Sequence, residues 1–149
     1  EESCPCQPIP PLKGRLCERE LSRRGIPCYY TTKRSIIKPM VYRAINLRKE
    51  LSARGCQVIE VYPYATKVAL FGKAIPPKSK PCGAAFLKGR IAHIMPRLAS
   101  YLPGFGHDLC DALLAAYTAY LYAAGEAEVI GDLEEGAICM PTIGAAPLP

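Results

Sequence analysis

The chain has 149 residues, half of them apolar and 21% charged, with a formal net charge of +6. That is one domain's worth of sequence, long enough to bury a core. The most apolar segment, Leu109 to Ala124, is shorter than a membrane span and carries Asp111, so no transmembrane helix is predicted.

Charge is unevenly distributed. Residues 1–54 hold 12 Lys and Arg against 5 acids, residues 55–100 hold 7 against 1, and residues 101–149 hold none against 7. A polyanionic partner for the first two-thirds accounts for this asymmetry, and so do solvated helix faces. The N-terminus, Glu-Glu-Ser-Cys-Pro-Cys, has neither an initiator Met nor a signal-peptide pattern, as expected of a trimmed or fragmentary chain.

In chain order, residues 1–11 are a Pro-rich, irregular lead-in. Leu12 to Arg24 has helical spacing (Leu12, Leu16, Cys17, Leu21) and stops at Gly25. Cys28 to Lys38 reads as a loop. A second helix starts at Pro39 and runs to Arg54, with the apolar stripe Val41, Ala44, Ile45, Leu47 and Leu51.

Gln57 to Tyr62 is β-branched and closed by Pro63, a strand. A short helix follows over Tyr64–Phe71, then a Pro/Lys loop over Lys73–Gly83. Residues 84–102 are helical in pattern, broken at Pro96. Asp108 to Ala124 is a helix apolar on nearly every side, predicted to lie in the core. Two short strands, Ala127–Gly131 and Gly136–Met140, flank the acidic turn 132–135, and residues 142–149 read as a frayed tail.

The eight cysteines are scattered. Cys56, Cys110 and Cys139 sit in apolar segments and are expected to be buried free thiols in a reducing, cytoplasmic setting. Cys4, Cys6, Cys17 and Cys28 form a weak candidate zinc set, lacking paired C-x2-C knuckles.

Two features carry possible chemistry. Asp108 and Asp111 are three apart on one helix face, as two ligands of Mg2+ or Mn2+ would be. First-turn capping also explains Asp108, but Asp111 lies deeper in an apolar helix, where an unpaired carboxylate is costly. Glu60 is mid-strand, sharing a face with Val58 and Tyr62. It needs a partner or ion if that face is buried, and nothing if the face is wet.

Val58-Ile-Glu-Val-Tyr-Pro63, Lys88-Gly-Arg90, Asp108-x-x-Asp111-Ala-Leu and Ala115-Ala-Tyr-Thr-Ala119 together resemble the predicted RNase H-like nucleases, a domain family of unknown function. The last helix is also similar to that of Holliday junction resolvases. Arg15-Leu-Cys-Glu-Arg-Glu-Leu-Ser-Arg-Arg-Gly25 and Gly131-Asp-Leu-Glu-Glu-Gly-Ala-Ile extend the resemblance over about residues 12–141.

The resemblance implies a partial RNase H-like α/β fold, helices on a small sheet, without the first strands and their acids. It implies a metal-dependent nuclease, incomplete as given, with Asp108, Asp111 and Glu60 as catalytic metal ligands to Mg2+ or Mn2+. The alternative on the same fold is a non-catalytic nucleic-acid-binding or assembly module. Lys78, Lys80, Lys88, Arg90 and Arg97 are the candidate phosphate contacts, though they equally suit solvated helix faces, and Tyr29-Tyr30 a candidate stacking pair. His107, beside Asp108, is the better site candidate of the two histidines. An exposed sheet edge and apolar helix face lead to an expected homodimer or an aggregation-prone monomer.

Overall fold

A computed structural model describes residues 14–32 and 34–142. The Pro-rich lead-in, Cys4, Cys6 and residues 143–149 lie outside them. Thr142, expected to fray, is held by two hydrogen bonds donated to Glu126 O, at 3.0 Å from its N–H and 2.9 Å from its hydroxyl.

The protein is an α/β structure with helices packed on a small mixed sheet. The elements run α1 (Leu16–Arg23), α2 (Lys38–Ala53), β1 (Glu60–Val61), α3 (Pro63–Phe71), α4 (Pro81–Ile94), α5 (His107–Ala123), β2 (Ala127–Asp132) and β3 (Gly136–Pro141), with short 3-10 turns at Pro96–Leu98 and Leu102–Gly104. The sheet order is β1-β3-β2. β3 is central, parallel to β1 (Glu60 opposite Ile138) and antiparallel to β2 (Ile130 opposite Ile138).

Local chemistry sets the ends of these elements. Gly25, at φ +75°, ends α1, and the Ile26 N–H reaches back to Leu21 O. Pro63 and Pro81 sit at the starts of α3 and α4, where a missing N–H costs nothing. Pro96 ends α4 as expected, since its ring excludes α-helix one turn earlier. The strand expected over 57–62 shortens to two residues, because only Glu60 and Val61 meet a partner strand.

The core has two parts. Leu87, Ile91, Leu114 and Leu121 join α4 to α5. Cys17, Leu21, Ala65, Ile130, Ile138 and Met140 join α1 and α3 to the sheet. The expectation that α5 is buried all round needs correcting. It buries Cys110, Leu114, Tyr117, Thr118 and Leu121, but Leu109 and Tyr120 face solvent.

α2 departs most from expectation. Its apolar stripe is not a core face, and no residue of the helix is buried. Cys56, just after it, is exposed and not buried, whereas Cys110 and Cys139 are buried as expected. Among the described residues no helix is long and apolar enough to cross a membrane.

Candidate functional site

Two polar clusters form where the motif-bearing elements meet. The first lies between α3 and α5. α3 packs against α5 through a buried hydroxyl pair, Thr66 and Thr118, with oxygens 2.9 Å apart. Thr118 also donates to Leu114 O at 2.8 Å. One residue on from Thr66, Lys67 points at the start of α5, and its Nζ lies 2.5 Å from Asp111 Oδ1. The Lys67 side chain is 7% exposed and that of Asp111 28%. His107, one helical turn before Asp111, brings Nδ1 to 3.3 Å from Asp111 Oδ2. Both oxygens of Asp111 thus face a nitrogen-bearing side chain. The pairing with Lys67 offsets part of the cost of placing a carboxylate in an apolar helix, although Asp111 Oδ1 and His107 Nδ1 are buried without a well-aligned hydrogen bond. Asp108 is exposed, in the first turn of α5, where its charge suits the helix dipole.

The second cluster centres on Arg15, the residue before α1. Its guanidinium forms a two-pronged pair with Glu60, Nη1 to Oε2 at 2.7 Å and Nη2 to Oε1 at 2.6 Å. Its Nε donates to Glu18 Oε1 at 3.0 Å. Glu18, 2% exposed, also accepts the N–H groups of Arg15 at 2.9 Å and of Thr31 at 2.9 and 3.0 Å. Burial alone would push the Glu18 carboxyl up, but the bonds from Thr31 and Arg15 outweigh it and hold it below its ordinary range. Beside Glu60 and Glu18, Arg15 is held more firmly protonated than usual. At the same end of α1, the Leu16 N–H donates to Glu135 Oε2 at 2.8 Å, so the acidic turn between β2 and β3 caps this helix.

The carboxylates predicted as one site from sequence thus have separate basic partners. Glu60 is 45% exposed on its side chain and bonded to Arg15, while Asp111 is bonded to Lys67 on another element. Among the described residues, no three His, Cys, Asp or Glu side chains gather as a metal-ligand group. Ammonium and guanidinium groups stand where a divalent cation would have to compete for these two carboxylates, so the residues described do not by themselves fit a two-cation centre. Arg15, Glu18, Lys67 and Glu135 were not singled out as site residues from sequence. The segments Arg15 to Gly25 and Gly131 to Ile138, which carry the family resemblance, contain three of these positions, and Lys67 lies in neither.

Of the basic candidates, Lys78 and Lys80 are exposed on the loop before α4, and Arg97 is exposed after it. Arg90 is also exposed but lies over the Phe86 ring, 5.3 Å from its centroid. Lys88 is half-buried and donates to Pro103 O at 2.9 Å. Tyr29 is exposed, while the Tyr30 hydroxyl donates to Ser22 Oγ at 3.2 Å. Of the zinc candidates within the described residues, Cys17 is fully buried and Cys28 faces Glu18 O, Sγ to O 3.6 Å.

No family model matches the chain, and neither the curated proteins nor the solved structures yield a match.

Proposed function

We propose that this chain is a nucleic-acid-binding module whose motifs relate it to the RNase H-like nucleases. The observation that carries the reading is the state of its cations. Residues 55–100 hold seven Lys and Arg and one acid, and that acid, Glu60, is taken by Arg15. None of the ion pairs among the described residues involves Lys78, Lys80, Arg90 or Arg97. Exposed, unneutralised cations on adjoining segments are what a phosphate backbone requires, since releasing its counterions supplies most of the affinity.

The test is fluorescence anisotropy with labelled single- and double-stranded DNA and RNA across a salt series. A Lys78→Glu, Lys80→Glu, Arg97→Glu variant should bind at least about tenfold more weakly, with a salt slope reduced by about three. Equal affinity and slope in both proteins would end the proposal.

A second reading, a Mg2+- or Mn2+-dependent nuclease, is favoured by the position of Asp111. Its side chain is partly exposed beside a buried lysine and a histidine, within the Asp-x-x-Asp-Ala-Leu run that carries metal-binding acids in the Holliday junction resolvases, whose last helix it resembles. On this reading Asp111 is one ligand, and acids additional to those described complete the site. Calorimetry with Mn2+ on the wild type and Asp111→Asn tests it. Binding lost in the variant supports the reading, and no binding by either protein leaves the module non-catalytic.

A further inference from the structure

We infer that α2 is a dimerisation helix that pairs antiparallel with α2 of a second copy of this chain. The helix has 16 residues, none of them buried. Yet an unbroken apolar seam at alternating spacings of three and four runs from Ile37, at its N-terminal cap, through Met40, Ala44, Leu47 and Leu51, the pattern of a coiled-coil contact line. Met40 is 54% and Leu47 55% exposed, side chains that a lone helix gains nothing by presenting to water.

The residues along the seam specify the occupant. In an antiparallel pair, Met40 faces Leu51 of the second copy and Ala44 faces its Leu47, so the small residue meets the large one at both central layers. The same register sets Arg43 opposite Glu50 of the second copy, and by symmetry Glu50 opposite its Arg43. On the other edge, the stem of Arg48 covers Val41 of the second copy. A parallel pair would instead set Arg43 against Arg48 of the second copy, twice. Glu50 is the only acid in a helix whose other charges are Lys38, Arg43, Arg48 and Lys49. Antiparallel self-pairing gives it an opposite charge, whereas a polyanion or an anionic membrane would leave it facing like charge. Two helices of about 24 Å make a small interface, so the dimer should be of micromolar strength.

The test is sedimentation equilibrium of the full chain up to roughly 100 µM, on nuclease-treated protein. The wild type should be dimeric at the top of that range. Arg43→Glu alone sets Glu against Glu, and Glu50→Arg alone sets Arg against Arg. Each should weaken association at least about tenfold. An equimolar mixture of the two single variants should recover wild-type association as a heterodimer, and the double variant should recover it as a homodimer. These positions are exposed, so unchanged circular dichroism verifies that each variant folds. A monomeric wild type, association that vanishes once nucleic acid is digested, or a mixture no tighter than its components would each overturn the inference. Oligonucleotide binding through Lys78, Lys80 and Arg97 is read separately, so the two proposals fail independently.

Discussion

Lys67 Nζ lies 2.5 Å from Asp111 Oδ1, joining the middle of α3 to the first turns of α5 by an ion pair whose lysine is almost wholly removed from water. Removing one partner of a fully buried pair costs about 3–5 kcal/mol because the other charge is left uncompensated. The 28% exposure of Asp111 lowers that figure. Asp111→Asn should therefore destabilise the protein by about 2 kcal/mol, read by urea unfolding. A Lys67→Met, Asp111→Leu double variant should recover most of the loss, since neither charge then remains. If the double variant is no more stable than Asp111→Asn, the pair is not the source of the cost.

Glu18 gives the protein an acid-sensitive joint. Its carboxyl is held below the ordinary 4.5 in the folded state, so the unfolded chain takes up the proton first as pH falls. The stabilisation is fully present above pH 4.5 and is lost as pH drops through the folded value. Glu18→Gln should cost about 2 kcal/mol at neutral pH. The gap between the two melting temperatures should narrow steadily below pH 4.5. A gap independent of pH would mean that the charge of Glu18 contributes nothing.

At Gly131 the chain of β2 passes directly beneath α1. A Cβ there would lie 2.5 Å from Cys17 Cβ and 2.7 Å from Cys17 N, and the backbone holds φ at +96°. Gly131→Ala combines a clash against helix backbone with a left-handed conformation, so a loss of about 3 kcal/mol or more is expected in thermal or urea unfolding. A loss below about 1 kcal/mol would mean that α1 can shift away from the sheet.

Thiol chemistry reports the packing residue by residue. Cys56 and Cys82 are exposed, whereas Cys17, Cys110 and Cys139 are buried and burial pushes their thiols up. Timed alkylation at pH 8 followed by peptide mass mapping should label Cys56 and Cys82 at least about a hundredfold faster than the buried three. Early labelling of Cys110 would contradict the packing of α5 on α4.

Much of this architecture was legible from local pattern. The helix after Asp108 and the hairpin around the acidic turn 132–135 form where periodicity and turn residues place them, and of the β-branched run at 57–62 only Glu60 and Val61 pair as strand. Long-range partners were not legible. Nothing near Glu60 announces that Arg15, 45 positions earlier, will hold it. Lys67 looks like any helix-surface lysine until α3 is laid against α5. The stripe of α2 reads as a core face by the same rule that identified α5. Periodicity reports that a face is apolar, not what covers it. Of the ion pair at the candidate site, Asp111 stands out in the sequence as a carboxylate in an apolar helix, whereas Lys67, which engages it, does not.

The order of the sheet also bears on how the molecule comes to be folded. β3 lies between the other two strands, yet of the three it leaves the ribosome last. β1 must wait for a partner 78 positions later, Glu60 for Ile138, while β2 needs only the next turn of chain. Hairpin closure of β2 on β3 should thus come early and local, and capture of β1 late, slowed by the entropy of closing that long loop. Until that hairpin closes, the apolar faces of α1 and α3 lack the sheet on which they rest. Nascent chains halted before residue 136 should accordingly be protease-sensitive throughout, and those released after residue 142 should become resistant in one step.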